Sequence, residues 1–325
     1  MRSLVTQKPM AMQIKSHQAE FDNDAFQQAL SRFNASRLAV STPKANWQQQ
    51  LAADLAHQFR EGNYLEYLRA DIAYLLPAPS LNAEEFVRWF EALSITGPGQ
   101  QHALFDWLAQ HASMAEMRWF LTQEAAGEAG FDDLLAHTQV KLPVQAKLEC
   151  ARNYWDEMGH GKQSAMHGQM LDNMVSELGL QPSIDTTVWQ TLALSNTMLG
   201  LALNRRYTYQ SIGALGVIEL TAPSRVKKVS VGMKRLGLDG RMRAYFDLHA
   251  ALDVSHARAW IREIIAPMVQ ADPSCATHIA EGALMRLVCG ERCFKRYSAE
   301  LGGLLQHAEA PQRAANAEPE LELSH

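Results

Sequence analysis

The run YFDLHAALDVSHARAW, residues 245–260, restricts the fold of this chain more than any other segment. His249, Asp253 and His256 stand in it at i, i+4 and i+7, offsets that an α-helix gathers onto one stripe over two turns. Leu248, Ala250, Ala251 and Leu252 interleave the stripe, as expected for a helix buried in a bundle. Two imidazoles and a carboxylate aimed at one point form a ligand set for a first-row transition metal, with non-heme iron the leading candidate where coordination positions stay open. A purely structural helix has little reason to turn such groups inward, because buried polar groups are costly unless paired or metal-bound.

The rest of the chain carries the same helical period. Ala, Leu, Gln, Glu and Met are abundant and β-branched alternation is scarce, so the predicted fold class is all-α. The spacing predicts two helices over 46–76, broken near Gly62-Asn63, and a helix that starts at Leu81-Asn82 and is closed by Gly97-Pro98-Gly99. Further helices are predicted near 100–110, 113–128, 131–137, 142–158, 163–178, 186–203, 208–222, 224–236, 239–266, 272–287 and 290–306. Residues 1–95 read as an N-terminal helical extension packed on a core of residues 96–308, and the polar, Pro/Ala-rich stretch 309–325 as a disordered tail.

Composition narrows the partners. The 325 residues are 47% hydrophobic and 20% charged, an ordinary globular balance. A net charge of −5, with no basic block longer than Arg225-Val226-Lys227-Lys228, argues against nucleic acid. The most apolar stretch, 192–203, is too short to span a bilayer, and residues 1–15 lack the apolar core of a secretory signal. Four cysteines (Cys150, Cys275, Cys289 and Cys293) do not make a disulfide framework in a chain of this size. The expectation is a soluble, cytoplasmic, reduced protein whose partner is a small molecule rather than nucleic acid or membrane.

Further donors are found in other helical segments. Glu157 and His160 form E-x-x-H, an i, i+3 pair that projects together from a helix and serves carboxylate-bridged di-iron centres in ferritin-like bundles. It occurs once, so a site built from two copies is not available. Glu124 lies on an apolar face near Trp119 and Phe120, and Glu219 in the run IGALGVIELTAP; a lone buried Glu in either setting needs a partner. Composition alone leaves Glu128, or Asp132 and Asp133, as alternatives to Glu124. His167, seven residues beyond His160, reads equally as a neighbour of the ligands and as a solvated side chain.

Taken in order, these residues resemble the heme-oxygenase-like di-iron oxidases and oxygenases, iron-containing redox enzymes, over roughly residues 100–306. Members of that family carry one Glu on a first core helix, E-x-x-H on a second, a further Glu about thirty residues before a third motif, and H-x-x-x-D-x-x-H as that motif. Glu124, Glu157 with His160, Glu219, and His249 with Asp253 and His256 match those places. The resemblance implies a heme-oxygenase-like helical bundle with an N-terminal extension. It also implies two Fe(II)/Fe(III) ions and O2 as co-substrate. The expected activity is oxidation of a small amine- or amino-acid-like metabolite by N-oxygenation, desaturation or oxidative C–C cleavage, in a biosynthetic pathway. An external electron donor and a homodimer are compatible with it. The seven metal ligands so implied are Glu124, Glu157, His160, Glu219, His249, Asp253 and His256.

One departure stands out. Members that oxygenate amine nitrogens often carry an extra carboxylate about three turns before the His of E-x-x-H, and here Cys150 occupies that place, with Glu149 beside it. Gly159 and Gly161 flank His160 and suggest a hinge beside the metal. Arg152, Arg205 and Arg206 are candidates for holding a substrate carboxylate. Cys289 and Cys293, on one helical face, read as packed thiols rather than a redox pair. Two other readings differ in class: a heme-binding or cofactor-free relative of the same fold, and a non-catalytic helical binding protein.

Overall fold

Capping residues set several helix boundaries in the computed structural model, which describes residues 19–79 and 81–301. The Asn23 side chain accepts a hydrogen bond from the Phe26 amide and opens α1 (Asp24–Leu38), which is followed by α2 (Trp47–Asp71). A reciprocal capping box between Asn82 and Glu85 starts α3 (Ala83–Thr96), at the place the sequence predicts. After α4 (Ala103–Gln110), a second box between Ser113 and Glu116 starts α5 (Met114–Gly127). Then come α6 (Phe131–Thr138), α7 (Val144–Glu157), α8 (His167–Glu177) and α9 (Trp189–Leu203). The chain ends with α10 (Thr208–Arg235), α11 (Ala244–Trp260), a π-helical turn at Ile261–Ile265, α12 (Ala266–Ala271) and α13 (Cys275–Leu301). Among the described residues there is no strand, so the fold is all-α as expected. The predicted tail, 309–325, lies outside the described residues.

Three predicted helix breaks do not occur. α2 runs through Gly62, α10 through Pro223, and α13 through residues 288–289. Glycine in a helix interior costs about 1 kcal/mol, and packing outweighs it in α2, where Glu61, Tyr64, Leu65 and Leu68 are fully buried. Pro223 has no N–H for the carbonyl of Glu219 four residues back. α10 continues nevertheless, because it is packed along its length against α11 and α13. Conversely, the single helix predicted over 239–266 is divided: α11 starts at Ala244 and gives way to the π turn after Trp260.

α10 is the central rod, with α11 on one flank, α13 on another and α4 across it. Its contact with α13 is backbone to backbone. A β-carbon added at Gly213 would lie 1.9 Å from the Ile279 carbonyl oxygen, and one at Gly282 would lie 1.8 Å from that of Gln210. Beside this crossing, Glu281 accepts hydrogen bonds from Arg69 and Gln210 at 2.8 Å. α11 is pinned to α10 by Trp260, whose indole N–H donates to the Ile212 carbonyl at 3.1 Å. The principal core joins Phe21, Tyr64 and Phe86 from the N-terminal helices to Leu215, Trp260 and Leu284. The N-terminal helices therefore pack into the core from which α10 projects Glu219.

The α10–α13 contact yields a stability prediction. Gly213→Ala and Gly282→Ala are expected to destabilise the fold by about 1–3 kcal/mol or more, the usual effect of overpacking a tight interface. Gly168→Ala, with open space at the same atom, is expected to leave stability unchanged or slightly raised. Urea-unfolding midpoints of the three variants check this.

Candidate metal centre

Two clusters of donors, all buried except the half-buried His249, lie between α7, α8, α10 and α11. In the first, donor atoms of Glu157, His167 and His249 lie within 4.8 Å of one another; in the second, those of Glu219, Asp253 and His256 do. Glu157 is the last residue of α7, His167 the first of α8, Glu219 lies in mid-α10, and His249, Asp253 and His256 form the predicted stripe on α11. Glu157, Glu219, His249 and Asp253 line one cavity of about 110 Å³, with Glu128, Tyr245 and Arg286. Its apolar wall includes Phe131, Leu134, Leu194, Met198 and Ile218.

The donors suit a metal better than they suit one another. His167 Nδ1 is 2.7 Å from Glu157 Oε2, and His256 Nδ1 is 3.5 Å from Glu219 Oε2. Yet neither ring nitrogen has a partner in hydrogen-bond geometry, although both are buried. Each contact brings a ring nitrogen and a carboxyl oxygen towards a common point, where an ion could take the place of a proton. The opposite edges of the His249 and His256 rings are tied down as metal-bound histidines usually are. His249 Nδ1 makes a 2.7 Å hydrogen bond with the Tyr245 carbonyl, which fixes that nitrogen as the donor and leaves Nε2 free. His256 Nε2 bonds to Asp156 Oδ2 at 3.0 Å, which leaves Nδ1 free. Asn153 Nδ2 donates to Glu219 Oε1 at 2.7 Å. Two imidazoles with one carboxylate, as in the first cluster, is the donor set of non-heme Fe(II) sites with open positions.

Local backbone decides which histidine joins the centre. α7 ends at Glu157, and Gly159, His160 and Gly161 follow with φ of 58°, 53° and 78°, all left-handed. Gly159 is required there, since a β-carbon would lie 2.3 Å from the Ala165 carbonyl carbon. The helical i, i+3 relation between Glu157 and His160 is thereby lost. His160 turns outward, its side chain 63% exposed, and bonds to Asp156 Oδ1 at 2.5 Å. The turn instead delivers His167, 3% exposed, to Glu157.

Burial sets the titration of these groups. Loss of water, reinforced by the Glu219 charge, pushes Glu157 up to about 9, and the same two causes raise Asp253. Burial lowers His249 to about 4, aided by His167, and lowers His167 to about 4, aided by His256. For His256 burial acts downward too, but Glu219 and Asp156 outweigh it and lift it to about 9. Burial raises Asp156, but hydrogen bonds from His160 and His256 outweigh it and hold it below its ordinary value.

Of the seven residues predicted as ligands, Glu157, Glu219, His249, Asp253 and His256 meet at the two clusters; His160 and Glu124 do not. Glu124 faces a neighbouring cavity with Arg225 and Arg286. Glu128, one turn later, lines both cavities and accepts hydrogen bonds from the Gly130 amide at 3.1 Å and the Tyr245 hydroxyl at 3.2 Å. The sequence does hold a signal for His167: with Leu171 and Met174 it forms an i, i+4, i+7 stripe, the buried face of α8. The arginines expected to hold a substrate carboxylate are engaged elsewhere. Arg152 pairs with Glu149, Arg205 donates to the carbonyls of His137, Thr138 and Val140, and Arg206 donates to the Tyr207 hydroxyl. Cys150 is fully buried, its thiol pushed up to about 12, chiefly by burial.

The family model for iron-containing redox enzymes matches residues 118–291, more than half of the chain, and spans every donor of both clusters. No curated protein matches the chain. Among the described residues no helix is long and apolar enough to cross a membrane.

The shifts predict how the metal-free protein responds to pH. Glu157 and His256 are raised, so their contribution to stability is full below their unfolded values, about 4.3 and 6.5, and is lost as pH climbs towards 9. His167 and His249 are lowered, so theirs is full above about 6.5 and is lost as pH falls towards 4. Asp253 is raised as well, so the losses of two acids offset the gains of two histidines from about pH 4 to 6.5, and the melting temperature is expected to be level there and to fall at higher pH. A divalent ion, which binds the deprotonated donors, is expected to abolish the alkaline loss. Thermal melts across this range with and without Zn(II) test it; an alkaline limb indifferent to metal contradicts it.

Proposed function

The chain belongs to the iron-containing redox enzymes, and on that premise we propose that this heme-oxygenase-like bundle is a non-heme di-iron enzyme that uses O2 to oxidise a small amine- or amino-acid-like metabolite. The observation that carries the reading is that both donor clusters contribute walls to one cavity. Glu157, His167 and His249 would hold one iron, and Glu219, Asp253 and His256 the other, with Glu128 within the same cavity. This set replaces His160 by His167 and Glu124 by Glu128 relative to the sequence-based assignment. When bound, two irons supply open coordination positions and two electrons for O2; an external donor would restore those electrons.

The protein's own contribution is positional and electrostatic. Asp156 orients His256, and the Tyr245 carbonyl orients His249. Neutral His167 and His249 offer lone pairs at physiological pH without first shedding a proton. Glu157, protonated in the metal-free protein, gives up its proton as the centre fills. Leu194, Met198 and Ile218 give the cavity an apolar wall. At about 110 Å³ it is below the roughly 300 Å³ at which drug-sized sites begin, which suits a small substrate and not a heme.

Anaerobic Fe(II) titration followed by elemental analysis tests this assignment. His167→Ala and Asp253→Ala are each expected to lose one of two irons and O2-dependent turnover. Asp156→Ala is expected to weaken iron binding about 10–100-fold through misorientation of His256. His160→Ala is expected to keep both irons. Full iron content in His167→Ala, or no iron in the unaltered protein, would overturn the reading.

A further inference from the structure

A second cavity of about 130 Å³ adjoins the metal cavity, and the two share Glu128, Leu194, Ile218, Tyr245 and Arg286 as walls. Its own charged residues are Glu124 and Arg225. Elsewhere in the molecule three enclosed guanidinium groups meet carboxylates: Arg37 on Glu61 at 2.6 Å, Arg69 on Glu281 at 2.8 Å and Arg292 on Asp71 at 2.9 Å. Here they do not. Arg225 reaches only the neutral oxygens of Gln100 and Thr221, both at 3.3 Å, and Arg286 has neither an ion pair nor a hydrogen bond among the described residues. Burial, and then the charge of Arg286, lowers Arg225 to about 9. The rings of Phe294 and Phe105, with centroids 5.4 and 6.0 Å from its guanidinium carbon, hold the Arg225 head in place.

Two cations without ion pairs beside an acid that also lacks one form a site that an uncharged molecule cannot satisfy. Glu124 has no ion pair among the described residues; a hydrogen bond from the Tyr297 hydroxyl and the pull of Arg286 and Arg225 act against burial, which raises it to about 6. A zwitterion placed between them gives each side an opposite charge and leaves the net charge of the enclosed site unchanged. Arg225 follows Glu219 by six residues on α10, about 9 Å along the helix axis. That separation leaves room for a side chain between a head group at the arginines and a reacting group at the metal donors.

We propose that Arg225 and Arg286 bind the carboxylate, and Glu124 the ammonium group, of an α-amino acid whose side chain runs past Ile218 and Ala222 towards Glu157 and Glu219. The proposal rests on the oxidase reading for what happens at the far end, and names the substrate class of that same centre. It makes Arg225, Arg286 and Glu124 determinants of specificity rather than ligands of iron.

The test is calorimetric titration of the metal-free protein with the standard L-α-amino acids. Each binder is compared with its deaminated acid and its decarboxylated amine. Removal of either head-group charge is expected to weaken binding about tenfold or more, the usual effect of losing a charge-assisted hydrogen bond. R286Q and R225Q are expected to weaken the amino acid to a similar degree while iron content stays unchanged. E124Q is expected to weaken the amino acid but not its deaminated acid. The analogue series needs no variant, and R225K and R286K retain the charge where a glutamine variant fails to fold. An amine or deaminated acid that binds as tightly as its parent, or no binding by any amino acid, would overturn the proposal. Binding without Fe(II)-dependent oxygen uptake would sink the oxidase reading and leave the subsite standing; uptake with substrate preference unaltered in R286Q would do the reverse.

Discussion

Three carboxylates, those of Glu157, Glu219 and Asp253, are buried together, and the rest of the structure is arranged around their mutual repulsion. Like charges withdrawn from water cannot all stay ionised unless cations join them. The nearby imidazoles relieve only part of this, because His167 and His249 are held neutral and His256 alone is biased towards its cationic form. The remainder is either protons on the carboxyl groups or metal ions between them. A bundle that keeps the donors close in spite of that repulsion must be stiff. The glycine contact of α10 with α13 and the Trp260 anchor of α11 on α10 provide the stiffness.

Away from this cavity the chain pairs its enclosed acids with bases. Glu61 takes both terminal nitrogens of Arg37, and Glu281 is met by Arg69, Gln210 and His278. Those acids explain themselves as structure. Glu157 and Asp253 have no comparable partner, and that difference separates chemical groups from architectural ones more clearly than burial does, since both kinds are buried.

The α11 stripe was legible in the sequence because its information is contained within one helix: residues at i, i+4 and i+7 share a face wherever the helix goes. Glu219 was legible for the related reason that its neighbours are apolar on every side. The choice between His160 and His167 was not, because it depends on three consecutive left-handed residues that abolish helical spacing just where E-x-x-H relies on it. Glu124 and Glu128 lie one turn apart on nearly the same face, and what separates them is that Glu124 lines only the cavity that holds Arg225, a residue of another helix. The helix breaks expected at Gly62 and Pro223 are local preferences overridden by packing between segments distant in the chain.

Pro223 has an effect beyond helix continuity. With no N–H to offer, it leaves the carbonyl of Glu219 without its helical donor, so that turn of α10 can widen without breaking a backbone hydrogen bond. Glu219 is also the donor whose carboxylate already divides its oxygens between Asn153 and His256. The one turn of α10 relieved of a backbone hydrogen bond is thus the turn that carries a carboxylate of the site, between stretches packed against α11 and α13.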